Sequence, residues 1–165
     1  MGRSWRDGTG TLAVPRSPAA DAGSGAGPGG GLEAGREVGP GAGREVGPEG
    51  GGGAGPEGGL EVGLEIAASY RARRRGLLGR DGIAGAMLLT PANSVHTLGM
   101  RFPIDVAYLD RRLRVLAVVT MRPGRLGLPR PRARHVLEAE AGAMARWGVR
   151  AGTRLTLTAD PAPGA

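Results

Sequence analysis

From Pro15 to Gly59 the chain is built of Gly, Pro, Ala and Glu with scarcely an apolar side chain, and this run limits what the rest can fold into. Within it Gly35-Arg36-Glu37-Val38-Gly39-Pro40 returns eight residues later as Gly43-Arg44-Glu45-Val46-Gly47-Pro48. A solenoid needs repeats of about 20 residues or more, each with an apolar face to stack. One Val per repeat cannot supply that face. Burial here would not offset an ordering cost of roughly 1–2 kcal/mol per residue. A disordered linker is therefore expected, within a low-complexity segment covering residues 1–59. Gly25-Ala26-Gly27-Pro28-Gly29-Gly30 has the spacing of a dinucleotide fingerprint, but no strand precedes it and no helix follows.

The pattern changes at Leu60. Leu60, Val62, Leu64 and Ile66 alternate with Glu61, Gly63 and Glu65, the period of a half-buried strand. Ser69 can cap a short helix over Tyr70–Leu78, with Gly79 as its stop and Asp81-Gly82 as a turn. Ala86–Leu89 is a short apolar run ended by Pro91. Ile104–Leu109 and Leu113–Val119 read as two strands joined by a turn at Asp110-Arg111-Arg112. Residues 122–134 form a Pro/Gly/Arg loop; His135–Ala139 reads as a strand, Ala141–Trp147 as a turn or two of helix, and Leu155–Thr158 as the last strand. Short, closely spaced strands predict a mainly β domain, a small antiparallel sandwich or jelly roll with one or two short helices. Residues 60–158 form that single domain, with 159–165 as a disordered tail. Trp5 and Thr11-Leu12-Ala13-Val14 lie before the linker and read either as an edge strand of the same domain, within residues 5–14, or as a frayed tail.

Charge is divided unevenly: residues 1–65 carry a net −4 and residues 66–165 a net +11. A basic half invites a nucleic-acid reading. Yet every basic residue is Arg, with no Lys, and nucleotide bias toward GC-rich codons produces the same composition. Aromatic residues make up only 3% of the chain, leaving little for base stacking. There are no Cys, which excludes disulfides and thiolate metal sites. No apolar run approaches the roughly 20 residues of a membrane span, and the N-terminus does not read as a signal peptide. A cytoplasmic protein without membrane contacts is expected.

Three blocks carry a resemblance. They are Arg75-Gly76-Leu77-Leu78-Gly79-Arg80, then Ser94-Val95-His96-Thr97-Leu98-Gly99-Met100-Arg101-Phe102-Pro103-Ile104-Asp105-Val106, then Val136-Leu137-Glu138-Ala139 followed by Ala141-Gly142. In this order they resemble the uncharacterised bacterial family called domain of unknown function 192 (DUF192), over roughly residues 60–158. The chain is similar to a subgroup with His96-Thr97-Leu98-Gly99-Met100 where the broader family has Trp-Met-Lys-Asn-Thr. The resemblance implies a compact, mainly β domain and no established activity.

In the strand from Ile104, Asp105 shares a face with Ala107 and Leu109. A carboxylate there must accept hydrogen bonds from amides, hydroxyls or an Arg. Asp105 either pins the preceding loop, through Thr97 or amides near Gly99, or forms an acid/base pair with loop-borne His96. His96 and Asp105 are thus the candidates for catalysis. His96, Thr97, Met100, Arg101, Asp105 and Arg80 are the candidates for ligand binding. Ser94 with His96 and Asp105 supplies the residue types of a hydrolase triad but lacks a nucleophile elbow. His135 and Glu138 fall on opposite faces of their strand, so no metal is expected, and no cofactor. Arg71, Arg74 and Arg75 share a helix face, while Arg122, Arg125, Arg130, Arg132 and Arg134 crowd one loop. The function expected is a non-catalytic module binding a small polar or anionic ligand, or a protein partner, at a His96–Asp105 face. A hydrolase-like enzyme is the alternative and a nucleic-acid binder the third reading.

Overall fold

The computed structural model describes residues 4–16 and 59–161. Nearly all of the expected linker, and the end of the expected tail, lie outside the described residues. The elements in chain order are β1 (Gly8–Val14), β2 (Leu60–Ala67), α1 (Tyr70–Arg75), β3 (Ala86–Leu89), β4 (Ile104–Leu109), β5 (Val115–Met121), β6 (His135–Glu140), α2 (Ala143–Arg146) and β7 (Thr156–Ala159). The fold is mainly β with two short helices. No helix among the described residues is long and apolar enough to cross a membrane.

The seven strands make one sheet in the order β5-β4-β6-β3-β2-β1-β7. It is mixed rather than wholly antiparallel, because β2 and β3 run parallel. Parallel neighbours need a crossover, and residues 68–85, carrying α1, provide it. The sheet also curls until its ends meet. The Val115 amide donates to Thr153 O at 2.8 Å and the Leu155 amide to Leu113 O at 3.0 Å, tying the start of β5 to the start of β7. One curled sheet thus takes the place of the expected sandwich.

Strand alternation then makes two cores. One is enclosed by the curl and draws from every strand: Leu12, Leu64, Leu88, Leu109, Val115, Leu137 and Leu157, with Met144 of α2 among them. The other lies on the opposite face and contains Leu77, Met87, Met100, Phe102, Val106, Tyr108 and Val136. β4 is buried along its whole length because both faces are covered.

β1 is an interior strand, paired with β2 from Gly8↔Ile66 to Val14↔Leu60 and with β7 on its other side. Leu12 and Val14 are fully buried, and Trp5 meets the His135 ring edge-on at 6.3 Å. Local chemistry sets the element ends. Ser69 Oγ accepts from the Ala72 amide at 3.1 Å and starts α1. Gly76, at φ 44°, stops it short of the expected Leu78. Asp110 Oδ1 accepts from the Arg112 and Arg114 amides at 2.7 and 3.0 Å, which tightens the turn and delays β5 to Val115.

Candidate functional site

A cavity of about 400 Å³ opens where α1 and the turn after it face the loop of residues 91–100 across the outer face of the sheet. Arg73, Arg74, Arg75, His96, Met100 and Glu138 are among its lining residues. The crossover brings the first three: β2 must reach β3, and four of the six residues of the helix that does so are arginine. Arg73 Nη1 donates to the Ala68 and Thr90 carbonyls, binding α1 to the ends of β2 and β3. Arg74 lies over the Tyr70 ring at 5.8 Å. Arg74 and Arg75 are exposed and have no acidic partner among the described residues.

His96 is exposed on the loop, which is held at its neighbour. Thr97 is fully buried: its hydroxyl donates to Arg122 O at 2.6 Å and accepts from the Arg125 amide at 2.9 Å. These bonds staple the loop to the segment after β5 and leave His96 and Met100 lining the cavity.

Glu138 enters from β6. It is 3% exposed and points to the outer face, between Met87 of β3 and Val106 of β4. Burial pushes its carboxyl from an ordinary 4.5 up to about 7, and no cation among the described residues offsets that effect.

The six expected binding residues separate. His96 and Met100 line the cavity. Thr97 serves the loop. Arg80 makes a bidentate pair with Glu65 at 2.7 and 2.8 Å, holding the Glu65 carboxyl below its usual range through that hydrogen bond. Arg101 pairs with Asp81 at 2.9 Å in the open. Asp105 is buried on the other face, where Thr120 Oγ1 donates to Oδ1 at 2.6 Å and the Met144 amide to Oδ2 at 3.1 Å.

The structure therefore does not bring His96 and Asp105 to a common face. Strand alternation sends Asp105 inward with Ala107 and Leu109, while the loop bearing His96 packs against the side of Val106 and Tyr108. Asp105 braces α2 and β5 rather than the loop before it. The residue missed is Glu138. Its signal was present, since it interrupts Val136-Leu137 and Ala139 just as Asp105 interrupts Ile104 and Val106.

The DUF192 family model, described as an uncharacterized ACR, matches residues 55–157. A UPF0127 protein of Pyrococcus horikoshii is 32% identical over 84 residues, covering 48% of this chain and 73% of that protein. This relative is archaeal, so the similarity is not confined to bacteria. A crystal structure of a protein of unknown function from Novosphingobium aromaticivorans matches with a TM-score of 0.52 at 20% identity, over 62% of this chain and 80% of that one. Another, from Sinorhizobium meliloti and described as a proposed transcription regulator, matches with a TM-score of 0.54 at 14% identity, over 94% and 98%. At such identities both likenesses show the fold alone.

Proposed function

The chain belongs to the DUF192 family, and we propose that it is a non-catalytic binding module which holds a small anionic ligand in the cavity beneath α1. The observation that carries this reading is the convergence of Arg74, Arg75 and His96 on one cavity, with both arginines lacking an acidic partner among the described residues. Arg80 and Arg101 show the contrast, each being neutralised by a neighbouring carboxylate. The cavity is of small-molecule size, and Arg presents donors in the fork that carboxylates and phosphates accept. The hydrolase-like alternative needs His96 and Asp105 together, and they occupy different faces of the sheet.

The test is thermal unfolding of the full chain with phosphate, citrate or butyrate at millimolar concentration, against chloride at equal ionic strength. At least one of these anions should raise the melting temperature. The Arg74→Gln/Arg75→Gln double variant should melt like the wild type without ligand and lose that rise. A wild type indifferent to all three anions overturns the reading.

A further inference from the structure

Glu138 is a buried carboxyl that nothing in the described chain holds. It is 3% exposed, lines the cavity beneath α1, and receives no hydrogen bond or ion pair from the described residues. The other buried carboxyl among the described residues is bonded: Asp105 accepts from Thr120 and Met144. A carboxyl buried without a partner costs a fold more than an apolar side chain of similar size. The empty bonding capacity of Glu138 thus faces the one direction that is not protein, the cavity itself.

What would fill it follows from its surroundings. Met87, Val106 and Met100 offer neither a donor nor a charge; Tyr108 shares this face and feels the carboxyl's charge but donates it no hydrogen bond; and the arginines at the cavity do not offset the burial of the carboxyl. A ligand ammonium would supply both, as a charge-assisted hydrogen bond. We infer that the cavity recognises a small amino acid, whose ammonium meets Glu138 while its acidic group meets Arg74 and Arg75. The acidic half of this recognition rests on the binding function proposed above; the ammonium half rests on Glu138 alone. Chain length between the two groups is then the specificity element, because Glu138 is fixed on a strand and the arginines on a helix.

Calorimetric titration of the full chain tests it, with β-alanine, γ-aminobutyrate and ε-aminocaproate set against propionate, butyrate, caproate and γ-hydroxybutyrate. One amino acid should bind about tenfold or more tightly than the simple acid of its length. Glu138→Gln should remove that advantage and leave binding of the simple acid unchanged, whereas Arg74→Gln/Arg75→Gln should weaken both. Amino acids no better than the simple acids, or γ-hydroxybutyrate equal to γ-aminobutyrate, overturn the ammonium contact and leave the anionic reading standing. No binding by any of these probes overturns both. Glu138→Met controls for folding: it should melt at or above the wild-type temperature, and unfolding of both Glu138 variants would make the carboxyl a structural element and overturn the inference.

Discussion

Asp105 and Glu138 stand beside one another on β4 and β6, Asp105 paired with Ala139 and Glu138 with Val106, yet they face opposite ways and meet opposite fates. Asp105 is satisfied by a hydroxyl and an amide; Glu138 is satisfied by nothing in the described chain. The pH dependence of stability follows from the second. Below pH 4.5 Glu138 is protonated whether the chain is folded or not. Between 4.5 and about 7 the unfolded chain gives up that proton while the folded chain keeps it, so stability falls as pH rises, and above about 7 the loss is complete. A shift of this size is worth at most about 3 kcal/mol. His135, whose own pKa burial holds below 6.5, works in the other direction, and Tyr108 shares the outer face with Glu138. The informative quantity is thus the difference between wild type and Glu138→Gln in urea melts. The variant should gain on the wild type from pH 4.5 to 7, while Asp105→Asn should lose about 1–3 kcal/mol at neutral pH by spoiling one of two buried acceptors. A flat difference for Glu138→Gln would mean that water reaches the carboxyl.

Elements were legible to the extent that their own residues decide them. The alternation from Leu60 to Ile66 is β2, and Ser69 caps α1 as its hydroxyl predicts. The run Ile104–Leu109 is β4 without adjustment, because all six of its side chains are buried and no turn chemistry intrudes. Where a turn competes, the boundary moves: Leu113 sits at φ 61° inside the Asp110 turn, and β5 begins two residues later than its apolar run suggests. The parallel pairing of β2 with β3 was not legible, since alternation is the same for either direction. It depends on a close approach at Gly85, where φ is 83° and a Cβ would lie 2.3 Å from the Gly63 carbonyl oxygen. Gly85→Ala should therefore destabilise the protein by more than about 1 kcal/mol in urea melts. A change of only a few tenths would show that β3 enters the sheet by another geometry.

Across the whole molecule, β1 and β2 are adjacent antiparallel strands whose facing ends, Val14 and Leu60, are already paired. A hairpin needs only a short loop between such ends. Replacing residues 17–58 with a loop of four Gly and Asn residues should preserve the fold. It should also raise its stability by up to about 2 kcal/mol, the entropy of closing a loop roughly ten times longer. Loss of the cooperative melt would show that the replaced residues contribute to the domain. Removing residues 1–16 instead should abolish folding, because Leu12 and Val14 belong to the enclosed core.

Composition, alternation and turn chemistry determined that the chain makes strands, where most of them lie and which residues turn or cap them, while three motif blocks, from Arg75, Ser94 and Val136, carried the family resemblance. These are properties of single residues and near neighbours, written in side-chain size, polarity and backbone freedom. Tertiary structure alone decided that β1 is interior, that the sheet curls until its ends join, and that His96 shares a cavity with Glu138 and the arginines of α1 instead of with Asp105. Those outcomes rest on which strand lies beside which and which face each turns to its neighbour, and a pattern of period two carries no information about either.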